Sequence, residues 1–169
     1  NKKILSDIGK KGINTLVCDS TNVFNDHHGR SESNLFDNFV NLFKEVKGIV
    51  VATTFASNLA RLKTLASAAD RTGRSLVVMG RAMNNMINYG KESGILNDFP
   101  DILSPRDAKL VPKNHLLVLA SGSQGEPRAA SAQLARESYM GFTIGKGDVF
   151  LFSSKTIPGN VIRVSYIID

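Results

Sequence analysis

Small and polar side chains gather at five places in this sequence, each directly after a run of apolar, largely β-branched residues. They are Asp19-Ser20-Thr21-Asn22, Thr53-Thr54, Gly80-Arg81, Ser121-Gly122-Ser123-Gln124-Gly125 and Ser153-Ser154. Hydroxyls, backbone N–H groups at helix starts and an arginine make a surface suited to phosphate. The same residue types also serve strand-to-helix turns for their own geometry. For one turn the geometric account suffices; five on one edge give the phosphate account equal weight.

Asp19 follows a buried-looking apolar run, where a carboxylate either forms the turn or binds a metal or a ribose. One carboxylate cannot hold a catalytic metal pair, and no companion cluster of histidines accompanies it. His27 and His28 are adjacent, beside Asp26; neighbouring side chains rarely converge on one ion, so they read as a solvated loop. His115, just before a strand, reads as structural. Glu32 falls in the first turn of a helix, where a negative charge complements the helix dipole. Arg81 stands at a strand end and a helix start. It can hold phosphate in a two-pronged fashion or pair with a surface carboxylate.

Other patterns fail. Gly122-Ser123-Gln124-Gly125 is not followed by the Gly-Lys-Ser/Thr of a Walker loop, and the first strand-to-helix turn lacks the spaced glycines of a dinucleotide fold. With no tryptophan and scattered aromatics, a base-stacking RNA platform is disfavoured.

The elements that must position these turns alternate along the chain. Strands are expected at Thr15–Asp19, Ile49–Thr53, Leu76–Met79, Leu116–Ala120 and Gly147–Phe152. Between them run helical patterns. The strongest, Ser31–Lys47, repeats Leu35, Phe36, Phe39, Val40, Phe43 and Val46 at a 3.6-residue period. Gly48 is expected to close it in a left-handed cap. Ser57 is expected to cap the next helix, which ends at Gly73. Further helices carry Met83, Met86 and Ile87, then Ala129, Ala132 and Leu134. The polar stretch Lys91–Lys113 holds one short helix near Arg106–Leu110. Continuously apolar strands separated by amphipathic helices imply an α/β fold: a doubly wound, mostly parallel, Rossmann-like sheet flanked by helices.

The bulk properties fit one domain with a proper core. A net charge of +6 and a pI near 9.6 suit a polyanionic partner. The lone Cys18 excludes an internal disulfide and fits a reducing compartment. No apolar run of about 18 residues is present, so no membrane span is expected. Asn1 at the start and the strand-like run Tyr166-Ile167-Ile168-Asp169 at the end read as cuts from a longer protein.

Six segments together resemble the ribonuclease J family, the β-CASP branch of the metallo-β-lactamase nucleases. They are Val17-Cys18-Asp19-Ser20-Thr21-Asn22, Ser31-Glu32-Ser33, Ala52-Thr53-Thr54-Phe55-Ala56-Ser57-Asn58, Gly80-Arg81-Ala82-Met83, Ser121-Gly122-Ser123-Gln124-Gly125-Glu126-Pro127 and Ile157-Pro158-Gly159-Asn160. Their order and spacing fit from Leu16 to Asn160, and the Ser-Gly-Ser-Gln-Gly-Glu-Pro segment is the most specific.

The resemblance implies that residues 1–22 trail from a metallo-β-lactamase core, that 23–160 form the β-CASP domain, and that 161–169 are a truncated or return segment. It implies two divalent metal ions, zinc or manganese, in the full-length enzyme, with Asp19 matching the aspartate that bridges them. Glu32 matches the acidic residue near the catalytic site. Gly80, Arg81 and Ala82 match a segment that helps hold RNA phosphate, with Ser121, Ser123 and Gln124 nearby. It further implies an RNA partner, internal and 5′-to-3′ cleavage in RNA processing and decay, a cytoplasmic location and self-association.

Departures accompany the match. The family's His-x-His-x-Asp-His motif and its later His-x-Ser-Gly-His segment are absent from this chain, so the chain alone is expected to bind no metal and to be inactive. Ala82 stands where serine is common, and Val161-Ile162 where an acidic residue usually follows. Two other classes remain open: a non-catalytic RNA-binding module, and an α/β enzyme acting on a phosphorylated small molecule.

Overall fold

The computed structural model describes residues 2–19, 23–24, 31–136 and 138–168. Ser20, Thr21, Asn22, Asp26, His27 and His28 lie outside the described residues. The chain forms two compact units, Asn1–Arg30 and Ser31–Asp169.

The first unit contains helix α1 (Lys2–Lys10). Residues 15–19, expected as a buried strand, form no strand: Leu16 is 76% exposed, Val17 91%, and Cys18 is exposed. A β-branched run supplies propensity, but a strand also needs the context of a sheet to fit into, and residues 15–19 stand outside the five strands of the sheet.

The second unit is built on five strands: β1 (Val50–Thr53), β2 (Ser75–Met79), β3 (Ile102–Leu103), β4 (Leu116–Ala120) and β5 (Val149–Phe152). They lie in the order β3-β2-β4-β1-β5, and every neighbouring pair is parallel. Val118 at the centre pairs with Val51 on one side and Val77 on the other.

The pleat sorts the side chains into two cores. Val50, Ala52, Leu76, Val78, Leu117 and Leu119 pack with Phe43 of α2 (Phe36–Glu45), Leu62 and Leu65 of α3 (Leu59–Arg71), and Met83 and Ile87 of α4 (Arg81–Glu92). Ile49, Val51, Val77, Met79, Val118 and Ala120 pack with Ala108 of α5 (Pro105–Ala108) and Ala130 and Leu134 of α6 (Ala130–Arg136). Helices therefore cover both faces of a parallel sheet, as the continuously apolar strands require. Since all strands run the same way, all five carboxyl ends meet at one edge.

Several local expectations are corrected. The helix placed at Ser31–Lys47 is a 3-10 turn, Glu32–Asn34, followed by α2. Gly48 does not make a left-handed cap: Val46, in extended geometry, closes α2. Glycine is needed at 48 for space, because a Cβ there would lie 2.2 Å from Asp148 Oδ1. Asn58 rather than Ser57 caps α3, its carboxamide oxygen accepting from Arg61 N at 3.1 Å. The short edge strand β3 carried no periodic signal. The apolar run at the chain's end belongs to a helix, α7 (Val161–Ile168), which begins just after the Ile157-Pro158-Gly159-Asn160 turn. Periodicity alone cannot separate a short apolar helix from a strand.

Two buried charged groups tie the amino-terminal edge of the sheet together. Arg74, 5% exposed, donates to four backbone carbonyls, those of Phe43, Val46, Gly48 and Leu116, at 2.6–3.2 Å. Asp148 accepts from Ile49 N at 2.9 Å, Gly145 N at 3.0 Å and Lys113 Nζ at 2.9 Å. Burial pushes the Asp148 carboxyl up, but these three donors outweigh it and hold the group below its ordinary value of 3.8.

A carboxyl whose folded pKa is depressed contributes stability that is present above the unfolded value and lost as pH falls through the folded one. Wild-type protein should therefore lose stability as pH drops below about 4. Asp148→Asn should be less stable at neutral pH by about 1–3 kcal/mol and show a shallower acid limb. Urea unfolding at stepped pH reads both; parallel acid limbs would mean that Asp148 is not the titrating group.

Candidate functional site

At the carboxyl edge, β2 ends in Gly80 and Arg81 opens α4. Gly80 has φ +121°, a conformation nearly reserved for glycine, and a Cβ on it would meet Ser121 Oγ at 2.2 Å. The first turn after β2 and the first turn after β4 thus lie in contact, bringing Gly80 against Ser121 with Arg81 next in sequence. Arg81 and Ala82 are exposed. Arg81 makes no ion pair among the described residues, and the first turn of α4 holds no acidic residue. A cation at the positive end of a helix is electrostatically disfavoured. Together the arginine and the helix terminus form a doubly positive corner. Beside it runs a groove of about 440 Å³ lined by Gly80, Arg81, Ser104, Tyr139 and Met140 among others.

The rest of the Ser121–Gly125 turn faces inward. Ser131 Oγ donates to Gly122 O at 2.8 Å, and Ser123 is buried. The Gln124 carboxamide holds the following loop: its oxygen accepts from Ile157 N at 2.7 Å and its nitrogen donates to Lys155 O at 3.1 Å. Gln124 is therefore a strut between two edge loops. Of the three, Ser121 is half-buried, whereas Ser123 and Gln124 are buried.

A second arrangement, not foreseen from the sequence, occupies the β1–β5 end of the same edge. Glu32 accepts a two-pronged bond from Arg61, Nε to Oε1 at 2.7 Å and Nη2 to Oε2 at 3.0 Å. Arg61 Nη1 also donates to Ser153 O and Oγ, each at 2.8 Å, and Thr54 Oγ1 donates to the same carbonyl at 3.1 Å. The hydrogen bonds from Arg61 hold the Glu32 carboxyl below the usual carboxylate range, against an opposing push from burial. At neutral pH Glu32 is a paired anion, suited to positioning and not to donating a proton. The signal that could have found Arg61 is its place in the first turn of α3, three residues after the cap, where a cation opposes the dipole unless a carboxylate offsets it.

Asp19 belongs to the first unit. Among the described residues no group of three or more His, Cys, Asp or Glu side chains could hold a metal ion. One carboxylate from Asp19 falls short of the four to six ligands a divalent ion takes, so the described residues do not by themselves fit a metal pair. His115 bonds to Gly73 O through Nδ1 at 3.0 Å, a structural tie. No helix among the described residues is long and apolar enough to cross a membrane.

Residues 47–169 match the family model "Ribonuclease J, beta-CASP domain". The chain is 35% identical over 153 residues to ribonuclease J of Sinorhizobium meliloti, covering 90% of this chain and 27% of that protein. It is 33% identical over 166 residues to ribonuclease J of Mycolicibacterium smegmatis, covering 98% of this chain and 30% of that one. A similar match, 33% identical over 166 residues, joins it to ribonuclease J of Synechocystis, with 98% of this chain and 26% of that protein covered. The chain thus spans little more than a quarter of the length of these relatives. With its all-parallel five-stranded sheet and the matched span from 47 to 169, the chain belongs to the ribonuclease J family and carries that family's β-CASP domain.

Proposed function

We propose that this domain is the RNA-cradling part of a metal-dependent ribonuclease that cuts RNA internally and from its 5′ end, and that its carboxyl edge forms one wall of the RNA channel. The observation that carries this reading is the doubly positive corner at Gly80–Arg81, packed against Ser121 and left without a carboxylate partner among the described residues. Backbone N–H groups at a helix start and a forked guanidinium both suit phosphate. The net charge of +6 supports a polyanionic ligand.

Glu32 acts here as a positioning anion clasped to Arg61. Asp19 would contribute one carboxylate to a zinc or manganese centre whose other ligands are not among the described residues. The chain by itself binds RNA without cleaving it. Cytoplasmic RNA processing and decay, and self-association of the whole protein, belong to the same reading.

Arg81→Ala should weaken binding of a short single-stranded RNA roughly 5- to 20-fold and lower the slope of log affinity against log salt by about 1. Arg81→Lys should restore the salt slope but only part of the affinity, because the fork is lost. Fluorescence anisotropy at three salt concentrations measures both. An Arg81→Ala variant indistinguishable from wild type would remove the reading. The mixed groove beside Arg81 also leaves room for a phosphorylated small molecule, and competition of sugar phosphates with RNA for this site would favour that class.

A further inference from the structure

The sequence holds four methionines, and the fold treats them unequally. Met79 and Met83 are buried in the two cores and Met86 is half-buried, whereas Met140 is 49% exposed. Among the described residues Met140 is also the only non-glycine with a positive φ, +52°. It stands at the tip of a tight turn closed by two backbone bonds. Tyr139 N donates to Phe142 O at 3.0 Å and Phe142 N donates to Tyr139 O at 2.9 Å. With Gly141 at φ +83°, both central residues are left-handed, the type I′ geometry that asparagine-glycine suits and methionine-glycine does not.

The turn is pinned in this strained form. Phe142 is buried in the second core and Tyr139 packs against that core. The Lys109 side chain lies over Gly141, where an added Cβ would collide with it. The tip is thus fixed, and with it Met140 as a wall of the groove that Gly80, Arg81 and Ser104 also line. A thioether is at best a weak acceptor, so as it stands it leaves the Arg81 donors to a ligand. It differs from the other apolar side chains of that wall in one respect: it reacts with hydrogen peroxide. The sulfur lone pair attacks a peroxide oxygen, an S–O bond forms, the O–O bond breaks, and water leaves. Sulfur is oxidised by two electrons and the peroxide is reduced. The product carries a polar oxygen in place of an apolar surface. It does so in the groove of an arginine that has five N–H donors and no ion pair among the described residues.

We propose that Met140 is an oxidation site that governs the phosphate corner: its sulfoxide oxygen accepts from the Arg81 guanidinium and takes the place of an RNA phosphate. Methionine sulfoxide reductases reverse the step. Two thiols join in a disulfide, the sulfoxide returns to the thioether, and its oxygen leaves as water. This inference rests on the RNA reading of the Arg81 corner.

The test uses the whole chain carrying Cys18→Ser, since Cys18 is exposed and also reacts with peroxide. Peptide mass spectrometry follows graded peroxide treatment. Fluorescence anisotropy reads affinity for an oligouridylate decamer once the peroxide is removed. Met140 should take up oxygen before Met86, with the buried Met79 and Met83 last. Affinity should fall in step with Met140 sulfoxide, by about as much as Arg81→Ala lowers it. It should return after treatment with the two epimer-specific sulfoxide reductases. Met140→Leu, whatever its starting affinity, should keep that value through the same peroxide series, and the residual affinity of Arg81→Ala should fall no further. Complete Met140 oxidation with unchanged affinity overturns the proposal, while the RNA reading stands as long as Arg81→Ala weakens binding. An equal peroxide loss in Met140→Leu or in Arg81→Ala overturns it as well, because the effect then arises elsewhere. If untreated protein does not bind the decamer, the RNA reading fails and this inference fails with it.

Discussion

Arg74→Met is expected to destabilise the fold by about 3–5 kcal/mol, although it leaves the sheet's apolar core intact. Arg74 directs five N–H bonds to four carbonyls: Phe43 and Val46 at the end of α2, Gly48 in the loop, and Leu116 at the start of β4. No ion pair involves it among the described residues, and burial lowers its pKa.

Methionine fills similar space and removes a costly buried charge, which argues for a small effect. It also strands carbonyls that cannot be replaced. Those of Phe43 and Val46 belong to the last turn of α2, where acceptors lack partners within the helix and the dipole is negative. At about 1–3 kcal/mol for each unmet buried acceptor, the stranded carbonyls outweigh the relief of the charge. Arg74→Lys keeps the charge but cannot span four acceptors with one ammonium, so about half the loss should remain. Urea midpoints with an unchanged m-value would read these differences. A methionine variant within about 1 kcal/mol of wild type would mean that water reaches these carbonyls.

The sheet was legible because its strands are apolar at every position. Leu116–Ala120 is bounded on the sequence as it is in the structure, and each face of Val50–Thr53 and Ser75–Met79 needed a cover of helices. The Gly80–Ser121 seam was half legible: small residues at both turns marked the edge, but which strands sit side by side depends on ladder order, which a single sequence does not encode locally. Arg61 and Arg74 stayed hidden because their partners stand about thirty or more residues away, or are backbone carbonyls that carry no sequence signature. Thr15–Asp19 misled for a related reason, since β-propensity was present and the ladder was not.

The second large effect concerns the seam itself. Gly80→Ala should cost about 2–6 kcal/mol and loosen RNA binding in parallel. Two terms contribute. At φ +121° and ψ 130° an alanine is strained by about 1–3 kcal/mol. Its Cβ would also stand 2.2 Å from Ser121 Oγ and 2.6 Å from Ser121 Cβ, a further overpacking cost of about 1–3 kcal/mol. The terms separate in a double mutant. Ser121→Gly removes both short contacts and leaves Ser121 N at 3.5 Å, ordinary van der Waals distance, while the backbone strain persists. Ser121→Gly alone should cost under about 1 kcal/mol, so the pair should recover roughly half of the single-mutant loss. That coupling is expected because the two residues touch. If the pair were as unstable as the sum of its parts, the turns after β2 and β4 would have to move independently. The phosphate corner would then lack the rigid floor that places Arg81 beside Ser121.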